Sequence, residues 1–374
     1  MTFAEMCKSA QPFACELLER LKVKMPEARR KADGLAFIPY TVNGNRWAPG
    51  PFDGICWWTN GFWPAEMLAM YRLSGDTAYL DEAERVEDLL DEAFCDFEHL
   101  HHDVGFMWLI SSGANYRMTG NKKSRKRALL AANLLAGRFN PAGFIRAWND
   151  DCVGWAIIDC MMNLNLLYWA SEETGDPRFR KIAMAHADMA AKYFIRENGS
   201  SNHIVIFDPE TLEVKDIPAG QGYAPGSSWS RGQAWALYGF ALSYRHTGKP
   251  EYLTTSRRVA KYFIENIGTD GVPRCDFAQP AEDLLKDACA GAVAASGLLE
   301  LARLTEEKTY FDAALTLLRA LDSACSDWSK EYPAILTQCT GSYHGNDHNI
   351  AMTYADFFFI ESIMKLLEDS FLFW

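Results

Sequence analysis

An aspartate inside an apolar stretch is the first place where this sequence could do chemistry. Residues 153–170 read VGWAIIDCMMNLNLLYWA and contain one carboxylate, Asp159; the stretch is long enough for about five helical turns. An ionised carboxylate among apolar side chains is costly, so such a group takes a partner from elsewhere, raises its pKa, or lines a polar cleft. A carboxyl group kept protonated near neutral pH is what general-acid catalysis needs. Asn163 lies one turn on, on the same helical face, where it could hold that carboxyl by a hydrogen bond. A structural pairing with a buried arginine accounts for Asp159 equally well, because ion-pair networks perturb pKa values too. A second carboxylate, Asp103 in HHDVGF, sits in a histidine-flanked loop at a helix start, where the helix dipole favours the ionised form. The two pKa values are therefore expected to diverge, with Asp159 the protonated partner.

The elements that must position these groups follow from a repeated unit: an apolar helix, a short turn written roughly T-G-D-x-x-Y/F, and an amphipathic helix. It occurs around Gly75, Gly120, Gly175, Gly248 and Thr305. Glycine just past a helix end is a C-cap, and the Asp or Pro that follows begins the next helix. With residues 1–24 as a first helix and 349–369 as a last, the count is twelve helices in six pairs. The spacing is too uneven for a solenoid of identical repeats, and six hairpins closing into a ring predict an all-α (α/α)6 barrel, one domain over residues 1–374. The helix before each turn is the more apolar and belongs to a buried inner ring; the one after it is charged on one face and belongs outside. Strand signal is confined to HIVIF and DPETLEVKD, which predict a small β-hairpin within a long loop. Residues 38–56, 138–153 and 268–284 are further long loops, of a length that commonly lines a site.

If inner and outer helices alternate, every outer-to-inner connection opens on the same mouth. Those connections are residues 56–63, 101–106, 144–155, 220–235, 286–292 and 341–349. They hold Trp57, Trp58, Trp63, Trp148, Trp155, Trp229 and Trp235, seven of the twelve tryptophans. Aromatic walls with a few polar anchors are the pattern of a ligand pocket, and here they suit a sugar, whose C–H faces stack on rings while Asp, Gln, His and Arg take its hydroxyls. Any single tryptophan of this set is more ordinarily a core residue. The adjacent His101 and His102 point apart and lie in no HExxH or CxxC context, so no metal is expected. His186, on an outer helix, reads as structural. There is no G-x-S-x-G elbow, no cysteine in a loop with a basic neighbour, and no phosphate loop, so neither a serine or cysteine nucleophile nor a nucleotide cofactor is expected.

The formal charge of -12 argues against broad adhesion to nucleic acid or anionic membrane. The ten cysteines are scattered without zinc spacing, which suggests buried thiols in a reducing cytoplasm. Residues 1–22 read as an amphipathic helix without the apolar centre of a signal peptide, and no uninterrupted run approaches the ~20 apolar residues of a membrane span.

HHDVGF, WAIIDCMMNLNLLYWA, SNHIVIFDPET and above all GSSWSRGQAWALYGFALSYRHTG, with WWTNGFW and GSYH in agreement, resemble the unsaturated glucuronyl hydrolases of glycoside hydrolase family 88. The likeness runs from about residue 36 onward. It implies an (α/α)6 barrel, without cofactor or metal, that removes a 4,5-unsaturated uronic acid from the non-reducing end of lyase-generated oligosaccharides. The small anionic oligosaccharide is the implied partner, and a monomer or homodimer the implied state. By the same resemblance Asp159 is the acid/base and Asp103 the second essential carboxylate. Trp58, Trp148 and Trp235 are sugar-stacking residues, His203, Gln221 and Arg231 polar contacts of the uronate, and Tyr343 and His344 contacts on the last loop. Asn60 departs from the family, where many relatives have Asp, and the exchange is expected to be tolerated. The chemistry implied is hydration of the enol ether, to which the carboxylate-separation rule of ordinary glycosidases does not apply. Three alternatives differ in identifiable ways. An unsaturated rhamnogalacturonyl hydrolase of family 105 would differ in its aglycone, a sugar epimerase would need paired histidines on inner helices, and a non-catalytic binding protein would not need an acid at Asp159.

Overall fold

The computed structural model describes residues 1–50 and 54–374; of the loop expected at 38–56, residues 51–53 lie outside the described residues. Each turn of the repeated unit joins two helices. The pairs are Phe62–Ser74 with Thr77–Leu90, Cys160–Thr174 with Pro177–Tyr193, Ser230–Thr247 with Pro250–Asn266, and Ala288–Thr305 with Lys308–Ala324. In the fifth, Val104–Trp108 continues through a π turn at Leu109–Gly113 into Ala114–Thr119 and pairs with Lys122–Gly137. The sixth joins Phe3–Arg30 to Thr353–Leu366, elements from opposite ends of the chain. The inner helix of each hairpin packs on its counterparts in the neighbouring hairpins, and in the sixth pair Thr353–Leu366 touches both Ala288–Thr305 and Phe62–Ser74, which closes the ring. The fold is an (α/α)6 barrel.

Local chemistry sets these boundaries. Gly75, Gly120, Gly175 and Gly248 adopt left-handed φ values of 74, 79, 73 and 68° and so end their helices as C-caps. The hairpin at Thr305 has no glycine, and Glu306 takes φ 57° in its place. Asp76, Asn121 and Asp176 then accept backbone N–H groups of the next helix, as N-caps do. Inner helices are buried nearly all round; every residue from Ala288 to Ala302 is inaccessible. That explains why Ala288–Thr305 is long and apolar enough to cross a membrane, since 83% of it is already covered by protein. Phe3–Arg30 is tied to the loop after Lys308–Ala324 by Lys24, whose Nζ donates to the carbonyls of Asp327, Ser329 and Tyr332. Seven of the ten cysteines are buried, and all are free thiols.

One element differs from its expected form. Residues 153–159 are not helical: Trp155–Ile157 is a strand, and the helix begins at Cys160. The strand pairs antiparallel with Ile204–Phe207, and the expected hairpin partner Val214–Asp216 completes a three-stranded sheet. Periodicity cannot separate a buried strand from a buried helix, and the aromatic and β-branched residues here suit a pleated surface. Two further short hairpins, Thr41–Asn43 with Arg46–Ala48 and Phe139–Asn140 with Phe144–Ile145, gave no sequence signal. His186 accepts the Ile145 N–H at 2.9 Å, a structural role as expected.

Candidate active site

The strand and the helix start bring Asp159 to His203. Ile157 pairs with Ile204, and the Ile158 N–H donates to the His203 carbonyl at 3.0 Å, so the residues just beyond meet. His203 Nε2 lies 3.6 Å from Asp159 Oδ2. His203 Nδ1 accepts the Gln221 N–H at 3.0 Å, so in the neutral ring the proton is on Nε2, facing the carboxylate. Gly220 makes this possible: at φ +60° it brings the backbone so close that a Cβ would stand 2.0 Å from His203 Nδ1. Asp159 Oδ2 itself accepts no hydrogen bond from the described residues. It is the N-terminal flank of its helix rather than a mid-helix residue.

Asp103 lies across from it at the start of Val104–Trp108, 8% exposed. Asn163 holds Asp103, not the Asp159 carboxyl as expected: its Nδ2 reaches Asp103 Oδ1 at 3.3 Å and the Asp159 carbonyl at 3.2 Å. Its Oδ1 accepts the Phe106 N–H at 2.8 Å. The two helices touch at Gly105, where a Cβ would come within 2.7 Å of Asn163 Cα and Oδ1. Burial, then the Asp159 charge, raise the Asp103 pKa well above the usual carboxylate range, while the Asn163 bond and Arg138 pull it down. The expected ionised state of Asp103 is thereby corrected. Its loop is covered rather than solvated, and desolvation outweighs a helix of five residues. His102 Nε2 stands 3.4 Å from Asp103 Oδ1, and burial, with Arg138 next, keeps that ring neutral.

Both carboxyls open on one cavity of about 210 Å³. Trp57, Trp58, Trp148 and Trp229 line it, with His101, His102, His203, Gln221 and Arg231. Trp155 packs behind Trp148, ring centroids 5.5 Å apart. The Arg231 guanidinium lies over the Trp229 ring at 4.5 Å, pairs with Asp287 and donates to the Thr340 and Gly341 carbonyls at 2.8 and 2.7 Å. Asp287 was missed by sequence reasoning; a buried arginine inside a helix start was the signal that a counter-charge had to exist nearby.

Three expected contacts do not line the cavity. Trp235 is 0% exposed, packed between Phe106 and Phe358 at 5.2 and 5.5 Å; one turn after Arg231, it faces the barrel axis and belongs to the core, as does Trp63. Tyr343 and His344 stand outside the wall. The Tyr343 N–H donates to the Gln221 carbonyl at 2.9 Å and its hydroxyl to Asp283, while His344 Nε2 lies 2.8 Å from the Tyr223 carbonyl. They brace the loop that carries Gln221. Asn60 is buried and donates to the Gly54 and Ile55 carbonyls, both at 3.0 Å, so its departure from the family falls on a structural turn. Among the described residues no group of three or more His, Cys, Asp or Glu could hold a metal.

Residues 38–272 match Glycosyl Hydrolase Family 88. The chain is 37% identical over 325 residues to an unsaturated glucuronyl hydrolase of Bacillus sp. (strain GL1), covering 83% of this chain and 86% of that one. It is 34% identical over 329 residues to an unsaturated chondroitin disaccharide hydrolase of Streptococcus pyogenes serotype M1, covering 83% and 82%. The crystal structure of an unsaturated glucuronyl hydrolase specific for heparin superposes with a TM-score of 0.86 at 31% identity, over 94% of this chain and 97% of that one.

Proposed function

The chain belongs to glycoside hydrolase family 88, and from that premise we propose that it releases 4,5-unsaturated uronic acid from the non-reducing end of glycosaminoglycan-type disaccharides by hydrating the enol-ether double bond. The observation that carries the mechanism is the Asp159 carboxylate, its Oδ2 without a hydrogen bond among the described residues, facing a tryptophan-walled cavity beside a second carboxyl of raised proton affinity. Substrate adds its own carboxylate to this cavity beside Asp103, whose proton affinity burial and the Asp159 charge already raise. Asp159 then delivers its proton to C4, and oxocarbenium character develops at C5. Water adds at C5 as the Asp159 carboxylate takes one of its protons, so the enzyme recovers the proton it gave. The C5 hemiketal opens, and the hemiacetal left at C1 releases the aglycone. Trp58 and Trp148 offer faces for the sugar. Among the described residues three of the five Arg231 N–H donors are committed, and the other two are assigned to the uronate, with the Gln221 side chain alongside on the same wall. The proposed setting is the cytoplasm, as a monomer or homodimer.

The test is the loss of conjugated-double-bond absorbance with unsaturated disaccharides from chondroitin, hyaluronan, heparin and pectin. The glycosaminoglycan substrates should be turned over faster than the pectin fragment. Asp159→Asn should lower kcat at least ~10²-fold, the low end of a general acid's contribution, with little change in binding. Near-normal turnover by folded Asp159→Asn would place the proton donor elsewhere and sink the mechanism.

A further inference from the structure

Behind the cavity, Arg138 spends all five of its N–H donors on uncharged oxygens. Nε donates to the Arg146 carbonyl at 2.9 Å, Nη1 to the Leu100 carbonyl at 3.0 Å and Asn149 Oδ1 at 2.9 Å, and Nη2 to the Ala147 and Trp148 carbonyls at 2.9 and 3.1 Å. These acceptors belong to two segments that face each other across the guanidinium. One leads through His102 into Asp103; the other carries Trp148. Neither segment is regular secondary structure at these residues. Further ties between them include the His102 N–H on the Ala147 carbonyl at 3.1 Å and the Asn149 amide on the Glu98 and Leu100 carbonyls at 2.6 and 3.2 Å.

A planar fork with five fixed donors suits such a knot, and lysine could not replace it. Because none of its bonds ends on a carboxylate, its charge is not cancelled at contact distance. Burial pushes the Arg138 pKa down to about 10, which still leaves a cation at neutral pH, and Asp103 is the carboxylate that acts on it.

Resting on the hydration reading above, we propose that Arg138 is a positioning residue of this enzyme: it clamps the Asp103 and Trp148 segments together and supplies the fixed positive charge behind the Asp103–Asp159 pair. The groups facing Asp103 are His102 on its own loop, Asp159, Cys160 and Asn163 on the Cys160–Thr174 helix and its flank, and Arg138. Arg138 is the cation among them, since His102 is neutral. Without it, two carboxyls and a substrate carboxylate would share a cavity whose lining guanidinium, Arg231, is already paired with Asp287.

The experiment is a 13Cγ-aspartate NMR titration with steady-state kinetics on wild type, Arg138→Gln, Arg138→Lys and Asn149→Ala, with Asp103→Asn assigning the resonance. Arg138→Gln should move the Asp103 midpoint up by about half a pH unit or more and lower kcat at least ~10-fold with KM changed less than about threefold, as expected for misplaced catalytic groups. Arg138→Lys keeps the charge and loses the fork, and Asn149→Ala loosens the knot without touching the charge. Both should lose kcat while the Asp103 midpoint stays in place, and they decide the clamp should Arg138→Gln not fold. An unmoved midpoint in folded Arg138→Gln overturns the electrostatic role; wild-type kcat in Arg138→Lys or Asn149→Ala overturns the clamp. The titration needs no turnover, so inactivity of the wild type on unsaturated disaccharides would sink the functional reading while Arg138 is still judged.

Discussion

Gly105→Ala is the smallest change that should reach the chemistry without touching a reacting group. The added methyl would stand 2.7 Å from Asn163 Cα and Oδ1 and 2.8 Å from its carbonyl oxygen, where ordinary contact begins at 3.4 Å. The two inner helices must therefore part by roughly 0.7 Å at that point, a distance set by the Cβ geometry just given. Two of the three atoms are backbone, so no rotamer change relieves the clash. Overpacking of this kind typically costs ~1–3 kcal/mol, which urea unfolding should register as a lower midpoint at unchanged slope. Asn163 is also the residue that holds Asp103 and the Phe106 N–H, so displacement passes directly to the carboxyl pair. A misplacement near 1 Å can cost on the order of 10²-fold in rate, and a drop in kcat of at least ~10-fold is expected, measured by loss of the unsaturated chromophore. KM should move much less, because Trp58, Trp148 and Arg231 lie on other walls. A folded Gly105→Ala enzyme with wild-type kcat would refute the claim that this helix contact sets the catalytic geometry.

Trp148→Ala should raise KM about tenfold or more while leaving the unfolding midpoint nearly in place, whereas Trp235→Ala should destabilise by ~3–5 kcal/mol; the reverse pattern would mean the two rings have been assigned to the wrong surfaces. Glu66 is fully buried in the inner ring, and burial, with Asp356 next, raises its pKa well above the ordinary value. Its protonated form thus favours the fold below the unfolded pKa of ~4.3, and that stability is lost as pH rises through the raised folded value. Glu66→Gln should therefore gain on wild type as pH increases, in urea midpoints taken from pH 5 to pH 9, and a constant difference across that span would contradict the assignment. Residues 341–364 contain no Lys or Arg, only His344 and His348, both near backbone carbonyls. Unsulfated disaccharides should accordingly be turned over better than those whose sulfate would need a basic contact on that loop, and the opposite ranking in kcat/KM would point to another loop as the source of charge.

What could be read from the sequence was what local chemistry determines. Capping residues at Gly75, Gly120, Gly175 and Gly248 mark the hairpins, and the apolar helix before each marks the inner ring. Seven expected site residues, Asp103, Asp159, Trp58, Trp148, His203, Gln221 and Arg231, line one cavity. What could not be read depends on partners distant in sequence. The strand at Trp155–Ile157 exists because Ile204–Phe207 lies beside it, and it moves Asp159 from mid-helix to helix start. The proton affinity of Asp103 follows from tertiary burial and from Asp159, neither of which HHDVGF displays. Trp235 and Trp148 are alike in type and in neighbourhood of motif, and only the direction of the helix face separates a core ring from a wall.

The pairing of Phe3–Arg30 with Thr353–Leu366 also has a bearing on how the molecule is made. A ribosome adds roughly 5–20 residues each second, so the first helix waits on the order of tens of seconds for its partner to be synthesised. During that interval the apolar side of Phe62–Ser74 that meets Thr353–Leu366 is uncovered, as is the matching side of Ala288–Thr305 once it emerges. The barrel can therefore not close progressively from its N-terminal end; its last wall arrives as a single late step. Exposed apolar surface of that kind is what chaperones bind and what drives aggregation at high expression. Shortening the wait, by permuting the chain so that Thr353–Leu366 precedes Phe3–Arg30, would turn the most distant contact in the ring into the most local one.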